Sequence, residues 1–225
     1  MKTRVEICVE TSSFAQAAVL AGADRLEVCD RLDLDGLTPQ KSVVEAALDS
    51  DASVVVMLRN RTDFLVGPNG GQALLAGLDD FAKLGVDGVV FGFLDERGCL
   101  DVESNRCILE AAKSYGLEAV FHRAIDVAAN GLQAAAQLGE LGFDRVLSAG
   151  GASSIEAGFE QFLQMRSQAP GLNWMPGGGI RADNLERVIE ALRPTDIHAS
   201  ADGDPDEVER LVGLCRSLRR FDKDS

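Results

Sequence analysis

Three short segments share one pattern and decide the fold: Gly22-Ala23-Asp24-Arg25-Leu26, Gly85-Val86-Asp87-Gly88-Val89 and Gly142-Phe143-Asp144-Arg145-Val146. Each follows a stretch with helical periodicity and precedes a short apolar run, so each ends a helix and begins a strand. The glycine suits the residue after a helix, where φ is often positive. The pattern indicates that one βα unit is repeated along the chain.

The apolar runs alternate in strict order with amphipathic segments, and this order carries more weight than the repeat, since Gly and Asp suit any helix-to-strand loop. Runs rich in Val, Ile, Leu and Phe are typical of strands buried on both faces. The pattern predicts strands at Val5–Val9, Arg25–Cys29, Ser53–Arg59, Gly88–Phe93, Glu118–Ala124, Asp144–Ser148, Asn173–Pro176 and Asp196–His198. It predicts helices at Ser12–Ala21, Gln40–Leu48, Gly71–Leu84, Val102–Tyr115, Leu132–Leu141, Ile155–Gln168, Asp183–Leu192 and Pro205–Arg220.

Eight βα units without an obvious linker favour a (β/α)8 barrel of the TIM type, formed as a single domain by residues 1–225. A doubly wound open sheet is the alternative. The length of 225 residues lies near the lower end for the barrel, so the loops are expected to be short.

Composition narrows the classes of function. A formal net charge of −14 disfavours nucleic acid as a partner, because phosphates would be repelled. No apolar stretch approaches the roughly 20 residues that span a membrane, and no signal peptide is visible. The five cysteines include no C-x-x-C pair, so a disulfide framework is not expected and a reducing cytoplasm is favoured.

Strand alternation predicts which side chains enter the barrel. If the aliphatic residues face the helices, then Glu6 and Cys8 of the first strand, and Glu27 and Cys29 of the second, face inward. On this pattern the two cysteines occupy matched points on neighbouring strands. The later strands would contribute polar side chains near their carboxyl ends, where barrels place their ligand sites: Arg59, Arg61, His122, Asp126, His198 and Ser200.

These residue types suggest two kinds of chemistry. Glu27, His122, Asp126 and His198 are candidates for proton transfer, with pKa values adjusted by burial and by neighbouring charge. An anion would be held by arginines, by the glycine loop after the seventh strand and by the residue after the eighth: Arg59, Arg61, Arg123, Gly178, Gly179 and Ser200. Structural ion pairs, such as one between Glu27 and Arg59, are the alternative explanation. No lysine lies at the carboxyl end of a strand, which disfavours Schiff-base chemistry.

Several segments, in order along nearly the whole chain, resemble the CutC family of copper homeostasis proteins. They are Val5-Glu6-Ile7-Cys8, Gly22 to Cys29, Gly36-Leu37-Thr38-Pro39, Phe121-His122-Arg123-Ala124-Ile125-Asp126, Gly178-Gly179-Ile180-Arg181 and Ile197-His198-Ala199-Ser200. The resemblance implies a TIM-type barrel, a cytoplasmic location, self-association and a role in copper handling. The chain departs from the family pattern after the eighth strand, where Ala201-Asp202-Gly203-Asp204 leads straight to the last helix, and in the loop of residues 59–64.

Two hypotheses follow. In the first, Cys8 and Cys29 bind copper(I), because thiolates are soft ligands that suit this ion; packing as small apolar side chains is the alternative for both cysteines. In the second, the chain is an enzyme, of lyase, isomerase or hydrolase type, acting on a small anionic or carbohydrate-like molecule. A divalent metal held by carboxylates and histidines is compatible with the second hypothesis, and no organic cofactor is indicated.

Overall fold

The computed structural model describes residues 3–218, and in them eight parallel strands form one sheet. The sheet follows chain order from β7 down to β1 and continues from β1 to β8, so that it curls into a nearly closed barrel. The strands are β1 (Arg4–Val9), β2 (Arg25–Val28), β3 (Ser53–Met57), β4 (Gly88–Phe91), β5 (Glu118–Phe121), β6 (Arg145–Ser148), β7 (Asn173–Pro176) and β8 (Asp196–Ala199). The predicted barrel is confirmed and the open sheet is not formed.

In the described part of the chain, eight α-helices surround the sheet, one after each strand: α1 (Ser12–Leu20), α2 (Lys41–Leu48), α3 (Gly70–Leu84), α4 (Val102–Ser114), α5 (Gly131–Leu141), α6 (Ile155–Gln168), α7 (Leu185–Leu192) and α8 (Pro205–Ser217). The carboxylate of Asp204 accepts the backbone N–H of Asp206 at the start of α8. The predicted continuation to Arg220 lies outside the described residues. None of the described helices is both long and apolar enough to cross a bilayer.

The largest difference from the sequence prediction is at the end of β5, which stops at Phe121 rather than Ala124. The next residues, Arg123–Val127, form a short 3₁₀ helix, and His122 precedes it with extended backbone angles. A turn replaces the predicted alternation here. Asp126 therefore does not follow His122 into the barrel as a strand residue would.

The repeated Gly-x-Asp segments have one structural role in all three places. The glycines have φ of +98° at Gly22, +89° at Gly85 and +90° at Gly142, as their position after a helix predicts. The aspartates then bind the preceding strand, because Asp24, Asp87 and Asp144 each accept the N–H of the residue that begins its apolar run. Each of them also donates its own N–H to the carbonyl of that same residue. The repeat thus sets the register of β1 with β2, β3 with β4, and β5 with β6.

Two apolar layers result from the alternation of side chains. Aliphatic residues such as Ile7 and Leu26 face the helices in the larger outer core. A smaller cluster fills the centre of the barrel, and it consists of Cys8, Cys29, Val55, Met57, Val90 and Val120. The expected orientation of Glu6 and Glu27 into the barrel is confirmed, since both carboxylates are buried and contact other inward side chains.

A layer of charged residues closes the amino-terminal end of the barrel, and we call it the charged layer: Glu6, Arg25, Glu118, Arg145 and Asp196. Arg25 is paired with Glu6, and its guanidinium also lies within 3.4 Å of Asp196 and 3.7 Å of Glu118. Arg145 pairs with Glu118 and lies 2.8 Å from Asp196. Burial opposes ionisation of Asp196, but Arg145 and the hydrogen bonds from Asn173 and Thr195 lower its pKa well below the usual range.

Strands β7 and β8 meet without a backbone ladder among the described residues, and side chains join them instead. Asn173 of β7 donates through Nδ2 to the carboxylate of Asp196 at 2.7 Å, and it accepts from the hydroxyl of Thr195 at 2.8 Å. The barrel is therefore completed by polar side chains at this one position.

Candidate functional site

A cavity of about 790 Å³ opens at the carboxyl ends of the strands. This is the end of a parallel barrel where loop residues and strand ends meet. Eight of the residues singled out from the sequence line it: Cys8, Glu27, His122, Arg123, Gly178, Gly179, His198 and Ser200. The barrel therefore brings most of the predicted site together.

Cys8 lines this cavity, and its Sγ lies 3.0 Å from the Sγ of Cys29, which is fully buried. The expected proximity of the two cysteines on neighbouring strands is found, although the ladder of β1 and β2 pairs Cys8 with Glu27 and not with Cys29. The sulfurs meet because Cys29 lies just beyond β2, where it packs beside Gly36. The hydrogen bond with Cys29 and burial raise the pKa of the Cys8 thiol, so it carries its proton at neutral pH.

Glu27 connects the thiols to a second group of polar side chains. Cys8 Sγ lies 3.7 Å from Glu27 Oε1, and Glu27 Oε2 lies 3.8 Å from Nδ1 of His198. The same ring nitrogen lies 2.7 Å from Glu6. Two sets of metal-ligating atoms therefore share Glu27: Cys8, Glu27 and Cys29 form one, and Glu6, Glu27 and His198 form the other.

The two carboxylates have different pKa values because their surroundings differ. Burial opposes the charge of Glu6, but Arg25 and His198 lower its pKa to about 2. Burial raises the pKa of Glu27 to about 7, since the charge of His198 offsets only part of the desolvation. Burial also opposes the charge of His198, but Glu27 and Glu6 raise its pKa above the usual value. A proton donor and a proton acceptor thus adjoin each other near neutral pH.

His122 is neutral and buried at the end of β5. Burial and the adjacent Arg59 guanidinium lower its pKa to about 3. Its Nδ1 accepts the backbone N–H of Ala124 at 3.2 Å, so the single proton of the neutral ring is on Nε2. Nε2 is buried and has no hydrogen-bond partner in residues 3–218. His122 is therefore a fixed hydrogen-bond donor rather than a residue that exchanges protons at neutral pH.

The three predicted anion-binding arginines have different positions. Arg59 donates to the carbonyls of Leu34, Gly36 and Thr62 and lies over the ring of Phe64, so it organises loops and does not form the ion pair with Glu27. Arg61 pairs with Asp63 on the exposed surface. Neither residue lines the cavity, whereas Arg123 does so beside Gly178.

Asp126 lies behind the cavity wall and does not line it. Its carboxylate accepts the hydroxyl of Ser148, the N–H groups of Ala149 and Gly151, and Nε of Arg123. These contacts orient Arg123 and the loop after β6. The geometry gives Asp126 a positioning role in place of direct contact with a ligand.

Sequence reasoning missed several residues that line the cavity: Phe14, Asp35, Met57, Phe64, Leu147 and Asp202. Glu10 lines the cavity as well, and it extends the inward alternation of Glu6 and Cys8. Phe64 lies in an irregular loop with φ of +58°, and no periodicity predicts where such a side chain points. Asp35 and Asp202 likewise follow strand ends in short irregular turns with positive φ.

The fold and the site together define a (β/α)8 barrel protein with an open cavity at the carboxyl ends of its strands. Buried thiols and a carboxylate–histidine cluster lie next to this cavity. The CutC family model matches residues 3–203, and the chain belongs to the CutC family. The human "Copper homeostasis protein cutC homolog" is 37% identical over 200 residues, covering 88% of this chain and 72% of that protein. The family protein CutC of Glaesserella parasuis is 34% identical over 203 residues, covering 89% and 83%. At the family level, membership associates the chain with copper homeostasis.

Solved structures agree with the fold. The putative copper homeostasis protein CutC of Streptococcus agalactiae superimposes with a TM-score of 0.81 at 27% identity, covering 89% of this chain and 99% of that chain. Phosphoribosylanthranilate isomerase of Thermotoga maritima gives a TM-score of 0.64 at 14% identity, covering 95% and 98%. The second similarity concerns the barrel alone.

Proposed function

We propose that the protein binds copper(I) through the thiolates of Cys8 and Cys29, with Glu27 accepting the proton that Cys8 releases and the proton of Cys29 leaving to solvent through the cavity. The observation that carries this proposal is the 3.0 Å separation of two buried sulfurs beside a carboxylate. Thiolates are the ligands that copper(I) prefers, and the relatives named for copper homeostasis support the same ion.

The donor set fits the ion after a small movement. Two metal–sulfur bonds of about 2.3 Å each, the length known for zinc thiolates, place the sulfurs about 4.6 Å apart in linear geometry. The two sulfurs must therefore separate when the ion binds. Met57 and Gly36 are the neighbours of Cys29 that border this movement, and Met57 has a flexible side chain.

The test is a competition for copper(I) between the protein and a colorimetric chelator. We expect one ion per chain, and an affinity at least about 100-fold lower in the Cys8→Ser/Cys29→Ser variant. Cys99→Ser/Cys107→Ser is the matched control, since both of these cysteines are exposed. Unchanged affinity in the first variant, with the fold retained by circular dichroism, would refute the proposal.

A second candidate function is supported by the size of the cavity, because about 790 Å³ is far more than a single ion requires. We propose that His198 and Glu27 transfer protons to and from a small anionic ligand held by Arg123, Gly178, Gly179 and Ser200. The pKa of about 7 at Glu27 suits a general base, and His198 beside it suits a general acid. Cytoplasmic location and self-association stay predictions of the family resemblance.

To test the second candidate, a panel of hydroxy acids, oxo acids and sugar phosphates is incubated with the protein in D2O and followed by NMR. Solvent deuterium entering a ligand, or a new product, is the expected result. Glu27→Gln should slow it by about 100-fold or more, as for loss of a general base. Deuterium uptake at the same rate in the variant would exclude Glu27 as the base.

A further inference from the structure

Two buried hydrogen-bond donors near the cavity have no partner among residues 3–218: Nε2 of His122 and Nε of Arg59. Their side chains are 3% and 2% exposed, so water does not satisfy them by simple surface hydration. An unsatisfied buried donor costs free energy, and such groups in native proteins call for an explanation.

The two donors lie close together, because both side chains pack against Phe64. The ring of Phe64 lies 4.1 Å from the centre of the Arg59 guanidinium and 5.2 Å from the ring of His122, so all three side chains are packed together. The charge of Arg59 is close enough to lower the pKa of His122. Of the three, His122 and Phe64 border the cavity.

The two nitrogens of His122 have different surroundings. Nδ1 is directed at the backbone of Ala124, and a Cβ added at Gly92 would lie 2.9 Å from it, so this edge of the ring is enclosed by protein. Nε2 is the ring nitrogen that these contacts leave without a partner, and the His122 side chain borders the cavity. A neutral N–H beside a fixed positive charge is suited to an oxygen with negative charge, as in sites that stabilise oxyanions.

We propose that the cavity binds a small carboxylate or phosphate, one oxygen of which accepts the Nε2–H of His122 beside the guanidinium of Arg59. This inference rests on the second candidate function, and it names the ligand class and a residue that determines specificity. The neighbouring Arg123, which is 30% exposed at the same end of β5, contributes charge to the same ligand. His122 holds the ligand and transfers no proton.

The acidic side chains of the cavity set the orientation of the ligand. Glu10 and Asp35 also line the cavity, and the charge of Asp35 acts on the nearby Arg59. Their charges repel a second anionic group and favour hydroxyl or amino groups. A ligand with one anionic end and one uncharged polar or cationic end therefore fits the cavity.

The experiment compares two substitutions of His122, each of which places an amide group near the position of one of the two ring nitrogens. The amide nitrogen of Gln lies near the position of Nε2, whereas Asn retains only an acceptor near Nδ1. Sodium phosphate and sodium pyruvate are titrated separately into wild-type protein, His122→Gln and His122→Asn. Affinities are measured by NMR with uniform 15N labelling, and the Nε2–H of His122 is followed in wild-type protein labelled with 15N-histidine. Arg61→Gln is the control, since Arg61 is paired with Asp63 outside the cavity.

In wild-type protein we expect the Nε2–H resonance of His122 to shift on saturation with at least one of the two anions. His122→Asn should weaken the binding of that anion by about 10-fold or more, the usual effect of losing a hydrogen bond to a charged group. His122→Gln should remain within about 3-fold of the wild type, and Arg61→Gln should match it. If phosphate binds and pyruvate does not, the site is a phosphate site; the reverse result makes it a carboxylate site.

Other results overturn the inference. Binding that is lost in Arg123→Gln but unchanged in His122→Asn would place the anion on Arg123 alone, and the second candidate function would survive. A Nε2–H resonance that does not shift when an anion saturates the protein would show that an ordered water is its partner. Failure of both anions to bind the wild type would reject this inference, whereas deuterium uptake from an uncharged ligand would still support proton transfer by Glu27.

Discussion

Nδ1 of His198 lies 2.7 Å from the carboxylate of Glu6, and the other oxygen of that carboxylate accepts the Nε–H of Arg25. Glu6 is thus shared between the cavity and the charged layer beneath it. The orientation of His198 depends on a carboxylate that is itself held by a buried arginine. The chemistry of the site therefore depends on a structural network, and the two can be separated by substitution.

Asp196→Asn should destabilise the protein by about 3–5 kcal/mol, the usual cost of leaving buried charges unpaired. Asp196 is fully buried and accepts from Arg145 and Asn173, so its neutral replacement leaves two buried arginines short of a counter-charge. Urea unfolding at neutral pH measures the change. Asp202→Asn is the control: its partner is Arg181, it is 74% exposed, and its loss should cost less than about 1 kcal/mol. Equal effects of both substitutions would contradict this account.

The stability of the Glu27→Gln variant relative to the wild type should increase as the pH rises. The pKa of Glu27 is raised from 4.5 to about 7 in the fold, so the folded state holds this proton more tightly than the unfolded state. The stabilisation is complete below about pH 4.5 and is lost as the pH rises through about 7. At about 1.4 kcal/mol for each pH unit between 4.5 and about 7, the upper limit is about 3.5 kcal/mol, and the pKa of about 7 already includes the effect of His198.

The measurement is the free energy of unfolding of the wild type and Glu27→Gln at several pH values between about 4.5 and 8. The difference between the two should grow across this interval in favour of the variant. Glu45→Gln, on the exposed side of α2, should follow the wild type throughout. A constant difference for Glu27→Gln would mean that Glu27 titrates normally in the fold.

Copper(I) should bind more tightly as the pH rises. Thiols release protons when they ligate a metal, and the Cys8 thiol has a raised pKa and so retains its proton at neutral pH. Between about pH 6 and pH 8 we expect the affinity to rise by about 10- to 100-fold per pH unit, for one or two protons released. Chelator competition, corrected for the proton affinity of the chelator, gives this slope. A slope of zero would exclude ligation by protonated thiols.

Two helical glycines should respond oppositely to alanine. A Cβ at Gly158 would overlap the carbonyl of Ala149, where α6 crosses the loop after β6, so Gly158→Ala should cost about 1–3 kcal/mol. A Cβ at Gly213 in α8 meets nothing within 4 Å, and Gly213→Ala should add about 0.5–1 kcal/mol. Thermal unfolding followed by circular dichroism distinguishes the two. A stabilised Gly158→Ala would show that α6 can move away from the loop.

Much of the fold is predictable because it depends on local, repeated signals. The Gly-x-Asp segments combine a positive φ with a carboxylate that binds the preceding strand, and both properties belong to the residue types themselves. The two-residue period of side chains along β1 and β2 is likewise enough to predict that Cys8 and Glu27 face the inside of the barrel.

The rest of the site depends on geometry that no period encodes. A one-turn 3₁₀ helix after β5 removes Asp126 from the strand pattern, and its carboxylate binds the loop after β6 instead. Arg59 donates hydrogen bonds to three carbonyls in the loops that follow β2 and β3. Strand alternation does not predict contacts within loops. The register of β1 with β2 sets Cys8 beside Glu27, and the contact between the sulfurs arises only from the course of the chain after Val28.

Strands β7 and β8 join through Asn173, Thr195 and Asp196 instead of a backbone ladder. In an open sheet, the two terminal strands would expose unpaired N–H and C=O groups to other molecules, and such edges promote aggregation. Here the two edges face each other, and their side chains occupy the space between them. A strand from another chain would have to displace Asn173 and remove the donor that β7 supplies to the carboxylate of Asp196, so the same polar contacts that complete the barrel also protect it from edge-to-edge association.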